Sequence, residues 1–190
     1  MAVPARIPVL DLSDVAGRQL VAALQQNSCV FLTGLDGFPE ALDAVLSSSR
    51  DFFGRGPAEK ALVRWSGKGP WQGWQPVYES GPDALLLERF EVALPDPAGY
   101  ASTADWAAAF PQWPAEPAGM ATAWAAYYRM MRDLACRLVA MLVDGLGLPA
   151  ADLPAWTERQ YSNLCVNHYL AQPEPRSEEH TSELQSLRHL

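Results

Sequence analysis

Histidine close to carboxylate is the donor set that a non-haem iron or zinc site needs. The C-terminal stretch offers it as His168, His180 and His189, with Glu178, Glu179 and Glu183 between them. Most of that set is expected not to be native chemistry. Arg176 to Ser186 reads R-S-E-E-H-T-S-E-L-Q-S, which is similar to one translated frame of a widely used sequencing adapter, and Leu187-Arg188-His189-Leu190 follows. Residues 1–175 are rich in Ala, Gly and Pro, whereas 176–190 contain none of the three. Segment 176–190 is therefore expected to be a non-native tail and is set aside. Only His168 then remains, and a facial triad of iron ligands needs two histidines. No catalytic and no metal-ligating residue is assigned.

Asn167-His168-Tyr169 falls on a strand-like segment. Residues two apart on a strand share a face, so the Asn167 amide and the Tyr169 phenol can reach one polar ligand. Other chemistries lack their parts. Gly67-Lys68-Gly69-Pro70 has neither the spacing nor the following helix of a phosphate loop. No Gly-x-Ser-x-Gly elbow occurs, and Ser47-Ser48-Ser49 has no positioned histidine. Asp11, Glu79, Glu88 and Glu91 read as solvated or structural carboxylates. Trp65, Trp71, Trp74 and Tyr78 either line a ligand pocket or form a satellite core under a long loop; the core is favoured because Trp carries so much buried area.

The elements that must position these groups follow from periodicity and turn residues. Ile7 to Leu12 reads as a strand, Ser13 as the N-cap of a helix through Gln26, and Cys29 to Thr33 as a second strand ending at Gly34. A helix is expected from near Pro39 to Phe53, a short helical turn at Ala58-Glu59-Lys60, and an ordered loop with brief extended pieces from Trp65 to Gly81. Leu85 to Leu94 reads as a strand and Ser102 to Phe110 as a short helix. Met120, Trp124, Tyr127, Met131, Leu134, Leu138 and Leu142 define the apolar face of a helix over Gly119–Leu146. A short helical piece near Ala151–Trp156 and a strand from Tyr161 to Leu170 complete the chain.

Composition bounds the function class. At 49% hydrophobic and 19% charged, this is a globular composition, and a body of this length buries roughly 70% of its unfolded surface. The net charge of −8 without a Lys/Arg cluster argues against nucleic acid and anionic membrane as partners. No run of about 18 apolar residues appears, so no membrane span is expected. No secretory h-region is seen at the start. Three widely spaced cysteines, Cys29, Cys136 and Cys165, suit free thiols in a reducing cytoplasm.

The order of the pieces resembles the isopenicillin N synthase-like family of iron(II)/2-oxoglutarate-dependent dioxygenases. Ile7-Pro8-Val9-Leu10-Asp11-Leu12-Ser13 looks like its first strand, and Cys29-Val30-Phe31-Leu32-Thr33-Gly34 like its second. Phe52-Phe53 followed by Pro57-Ala58-Glu59-Lys60 is similar to its Phe-Phe and Glu-Lys signature. Gly73-Trp74-Gln75-Pro76 with Glu79 resembles the Gly-Tyr-x-Pro loop, and Leu87-Glu88-Arg89-Phe90-Glu91 the Lys-Glu-x-Phe segment. Phe110-Pro111-Gln112-Trp113-Pro114 resembles Asn-x-Trp-Pro, and Asn167-His168-Tyr169 stands where relatives carry Asn-x-Tyr-Pro. The departures are Leu35 for a histidine, Trp74 for a tyrosine and Leu170 for a proline.

That resemblance implies an α+β fold: a helical N-terminal dioxygenase region over 1–160, then the first strands of an incomplete jelly-roll (double-stranded β-helix) over 161–175. It implies a parent that oxidises a small molecule with Fe(II) and 2-oxoglutarate, and gives Asn167 and Tyr169 a share in cosubstrate binding. The family's iron ligands, His-x-Asp and a later His, and its Arg-x-Ser pair would follow Pro175. The 190-residue chain is accordingly expected to be an inactive fragment that binds neither cofactor. Two alternatives stay open: a non-catalytic binding module, and an isopenicillin N synthase-type oxidase that uses no 2-oxoglutarate. Substrate and oligomeric state are not legible.

Overall fold

A computed structural model describes residues 7–65, 72–76, 87–92, 113–153, 157 and 162–170. Short apolar runs at Val9–Asp11 (β1) and Phe31–Thr33 (β2) pair in parallel, Val9 opposite Phe31 and Asp11 opposite Thr33. Parallel neighbours need a crossover, and α1 (Gly17–Asn27) provides it, burying Leu20 and Ala23. Ser13 does not cap this helix. Its backbone N–H and its hydroxyl both donate to Asp11 Oδ1, at 2.8 and 2.7 Å. This local turn competes with capping, and those two bonds hold the Asp11 carboxyl below its ordinary value. The helix begins at Gly17, where the Gln19 side chain accepts the Ala16 N–H at 2.8 Å.

Pro39 in the first turn and Gly54 at the end bound α2 (Phe38–Phe53), which buries Val45, Ser49, Phe52 and Phe53. After a break at Gly54–Gly56, α3 (Pro57–Ala61) turns Lys60 inward. The long α4 (Met120–Gly145) packs against both α1 and α2. Its contact with α1 needs two glycines. A Cβ on Gly17 would run into the Met141 carbonyl oxygen, and one on Gly145 would run into the Gly17 carbonyl oxygen. The expected apolar face of α4 is buried at Met120, Trp124 and the adjoining Ala125 and Tyr128, whereas Met131, Leu134, Leu138 and Leu142 are half-buried. A 3₁₀ turn, Ala150–Asp152, follows.

A second, antiparallel sheet runs in the order β3 (Gln72–Gln75), β4 (Leu87–Val92), β5 (Leu164–Tyr169). Trp74 faces Phe90, which faces Val166; Gln75 faces Arg89, which faces Asn167. Because side chains alternate along a strand, Trp74, Phe90 and Val92 point to one side, with Leu164 and Val166, and join Phe52, Met120 and Trp124 in the core. Phe90 is fully buried, with the rings of Phe52, Trp113 and Trp124 centred 5.0, 5.6 and 5.3 Å away. The brief extended piece expected in the Trp-rich loop is β3, and Trp74 belongs to the main core rather than to a satellite.

The helix expected over Ser102–Phe110 lies outside the described residues. So do Trp71, Tyr78, Glu79 and the tail 176–190 with His180, Glu183 and His189. Among the described residues no helix is long and apolar enough to cross a membrane.

Candidate functional site

At the α3 end of the core face, three side chains close around one carboxylate. Glu88, 3% exposed, accepts from Lys60 Nζ at 2.7 and 2.8 Å and from Trp74 Nε1 at 2.7 Å. His168 Nδ1 lies 2.9 Å from its other oxygen, and the imidazole stacks on Phe53 with centroids 5.1 Å apart. Lys60 also donates to the Phe53 carbonyl at 3.2 Å. Burial alone would push the Glu88 carboxyl up, but hydrogen bonds from Lys60, His168 and Trp74, with the Lys60 charge, hold it below the ordinary value.

This cluster does not fit an iron cage. Both Glu88 oxygens already accept from the Lys60 ammonium, and His168 turns its Nδ1 to the same carboxylate. Among the described residues no three His, Cys, Asp or Glu side chains group to hold a metal.

The opposite face carries a different set. Asn167 is exposed and Tyr169 half-buried on β5, two residues apart and so on one side of the strand. The structure thus brings together the two residues singled out from the sequence and turns His168, between them, to the other face. Arg89 stands beside Asn167 in the ladder, with Gln75 on its other flank. Glu91, buried, accepts from Gln75 Nε2 at 3.3 Å and from Asn163 Nδ2. The Cys165 thiol donates to Asn167 Oδ1 at 3.4 Å; burial and then the Glu91 charge push that thiol up to about 11, against a smaller pull from Arg89.

Sequence reasoning missed the Lys60–Glu88 pair, which joins residues 28 apart, and it missed Arg89. The available signal was a run, Leu87 to Val92, in which charged residues interrupt an otherwise apolar strand on both of its faces.

The whole arrangement is similar to solved structures. One is a protein from Caulobacter crescentus assigned to the 2OG-Fe(II) oxygenase family, with a TM-score of 0.70 at 20% identity, covering 89% of this chain and 58% of that one. Another is a C-terminally truncated protein of Neurospora crassa in apo form, at 0.65 and 20%, covering 87% and 62%. A third is the dioxygenase for auxin oxidation from rice, at 0.61 and 22%, covering 86% and 52%. The chain therefore shares their fold and spans only 52 to 62% of their length. No protein-family model matches the sequence, and no curated protein does.

Proposed function

We propose that this chain carries the helical front part and the first core strands of an oxygenase that uses iron(II) and 2-oxoglutarate to oxidise a small molecule in the cytoplasm. The observation that carries this reading is the continuity of the likeness, which takes in 89% of the chain at a TM-score of 0.70. A three-stranded antiparallel sheet is shared by many folds. The parallel β1–α1–β2 unit, the long α4 and that sheet, in one chain order, form a far more particular combination. The full-length form of the Neurospora crassa protein has been solved in complex with alpha-KG and thymine; by analogy, a 2-oxo acid and a small organic molecule are the proposed cosubstrate and substrate class here.

In this reading β3, β4 and β5 begin a jelly-roll of the isopenicillin N synthase-like type, and segment 1–160 is its N-terminal region. Segment 161–175 opens the core, and 176–190 is foreign to it. Asn167 and Tyr169 donate hydrogen bonds to the oxo acid from one strand face. Iron, when bound, would activate dioxygen, the oxidant of both the 2-oxo acid and the substrate. Its ligands are proposed to belong to the natural sequence after residue 175, since His168 and Lys60 are both committed to Glu88. The 190-residue chain is then inactive.

Reading the natural coding sequence through codon 175 tests the proposal. A frame that continues into His-x-Asp and a later His is expected; a stop codon there would overturn the enzyme reading in favour of a binding module. Anaerobic addition of iron(II) and 2-oxoglutarate to the 190-residue chain should give no metal-to-ligand charge-transfer band, and its appearance would refute the inactive state.

A further inference from the structure

Arg89, like Arg129 on α4, is a charge without a counter-ion among the described residues. It is half-buried at the middle of the central strand, yet no hydrogen bond or ion pair involves its side chain among the described residues. Its sequence neighbour Glu88, on the other face, has Lys60, Trp74 and His168 around it. The one carboxylate on the Arg89 face among the described strand residues, Glu91, is already taken by the amides of Gln75 and Asn163. A guanidinium drawn partly out of water normally finds an anion, because its planar fork matches a carboxylate with two parallel N–H donors.

The neighbours of Arg89 suit such an anion. Gln75 and Asn167 flank it in the same ladder row, each with its Cβ about 5 Å away by cross-strand spacing. The Asn167 amide and the second N–H of Gln75, whose first goes to Glu91, can add hydrogen bonds without neutralising the cation. Glu91 lies two residues along β4, about 7 Å away by strand rise. That fixed negative charge penalises a dianion more than a monoanion, so a carboxylate fits better than a phosphate. Tyr169, on the same face and next to Leu87, gives the apolar remainder of an organic acid a surface to lie on.

We propose that Arg89, with Gln75 on one flank and one N–H of the Asn167 amide on the other, is a carboxylate-binding site that selects a small organic acid as the molecule to be oxidised, the second Asn167 N–H serving the oxo acid. The choice of an oxidisable substrate rests on the oxygenase reading above; the carboxylate site itself does not. The anion has two possible sources, the substrate or the 2-oxo acid cosubstrate, and the experiment separates them.

The 190-residue chain is titrated with benzoate, with its neutral counterpart benzamide and with 2-oxoglutarate, while the Arg89 side-chain N–H signal is followed by NMR. Benzoate should shift that signal and saturate, and benzamide should bind at least about tenfold more weakly, as expected when a bidentate charge-assisted pair is lost. Arg89→Met should weaken benzoate by a similar factor, and Arg89→Lys should restore part of the loss. Thermal melts of both variants show whether the fold survives. Equal responses to benzoate and benzamide, or unchanged benzoate binding in Arg89→Met with its melt intact, would overturn the site. Competition between 2-oxoglutarate and benzoate at Arg89 would assign the arginine to the cosubstrate and overturn the substrate-class inference. A stop codon after residue 175 removes the oxygenase reading yet leaves the benzoate result standing, so the two failures are distinct.

Discussion

Glu88 and Arg89 are adjacent in the chain and point to opposite faces of one strand, and the molecule treats them in opposite ways. The carboxylate is 3% exposed and surrounded by Lys60, Trp74 and His168. Arg89 as a residue is half-buried, between Gln75 and Asn167 in the ladder. Glu88, Phe90 and Val92 thus face the core, while on the other face Arg89, between the buried Leu87 and Glu91, is the one residue of β4 that is not fully buried. A buried ion that is fully partnered serves the fold and has nothing left to offer a ligand. A cation left without its counter-ion adds little to the fold, and its planar fork of donors stays open to a carboxylate.

The largest test of this contrast is Phe90→Ala against Arg89→Met. Phe90 fills the space between Phe52, Trp113 and Trp124, so its removal should cost about 3–5 kcal/mol in urea denaturation. Arg89→Met should cost less than about 1 kcal/mol, as substitutions away from core and network features do. Comparable losses would show that the polar face is structural after all. Lys60→Met comes next. It leaves Glu88 with only neutral donors and His168, and removing one partner of a buried pair costs about 3 kcal/mol. A loss near zero would mean that Trp74 and His168 suffice to hold the charge.

The same carboxylate gives a pH dependence. Glu88 is held below its ordinary value in the folded chain, so the folded state favours the ionised form. Its contribution is complete above the unfolded value of about 4.3 and fades as the pH falls through the depressed folded value. Wild-type stability should therefore drop on the acid side more steeply than that of Glu88→Gln, measured as urea midpoints between about pH 5 and pH 3. Parallel curves would remove Glu88 from the account of acid sensitivity.

Local patterns are legible in the sequence because they are set by neighbours along the chain. The spacing of Val45, Phe52 and Phe53 specifies α2, and the three- and four-residue steps from Met120 specify α4. Strand alternation is enough to place Asn167 and Tyr169 on one face. What escapes is everything decided by register between distant segments. Lys60 meets Glu88 only because α3 lies at the end of the sheet, and His168 meets it only through the β4–β5 ladder. Ser13 departs from its expected capping role for a local reason, since the Asp11 side chain offers a nearer partner than the helix terminus. Residues 129–142 of α4 are less buried than their pattern suggests, because periodicity reports which face is apolar, not how much of it is covered.

Cys165 sharpens the contrast on a smaller scale. It lies on the polar face, yet its thiol is pushed up to about 11 by burial and by Glu91. Reactivity follows the thiolate, so iodoacetamide at about pH 8 should modify Cys165 at least about tenfold more slowly than the exposed Cys29. Arg89→Met should slow it further, since the guanidinium is the group that pulls the thiol down. Equal rates for the two cysteines would place Cys165 in a wetter and more open setting than this face provides.

The smallest expected effect on stability is the most discriminating. Asn167 is exposed, and its side-chain oxygen accepts only a weak bond from the Cys165 thiol among the described residues. Asn167→Ala should change the stability read from urea midpoints by no more than about 0.5 kcal/mol. It should nevertheless weaken benzoate at Arg89, because it deletes one flanking amide of the row. A structural residue would behave the other way, losing stability while the response to benzoate stayed intact. If Asn167→Ala cost more than about 1 kcal/mol and left binding unchanged, the face that carries Asn167 would have to be counted with the core.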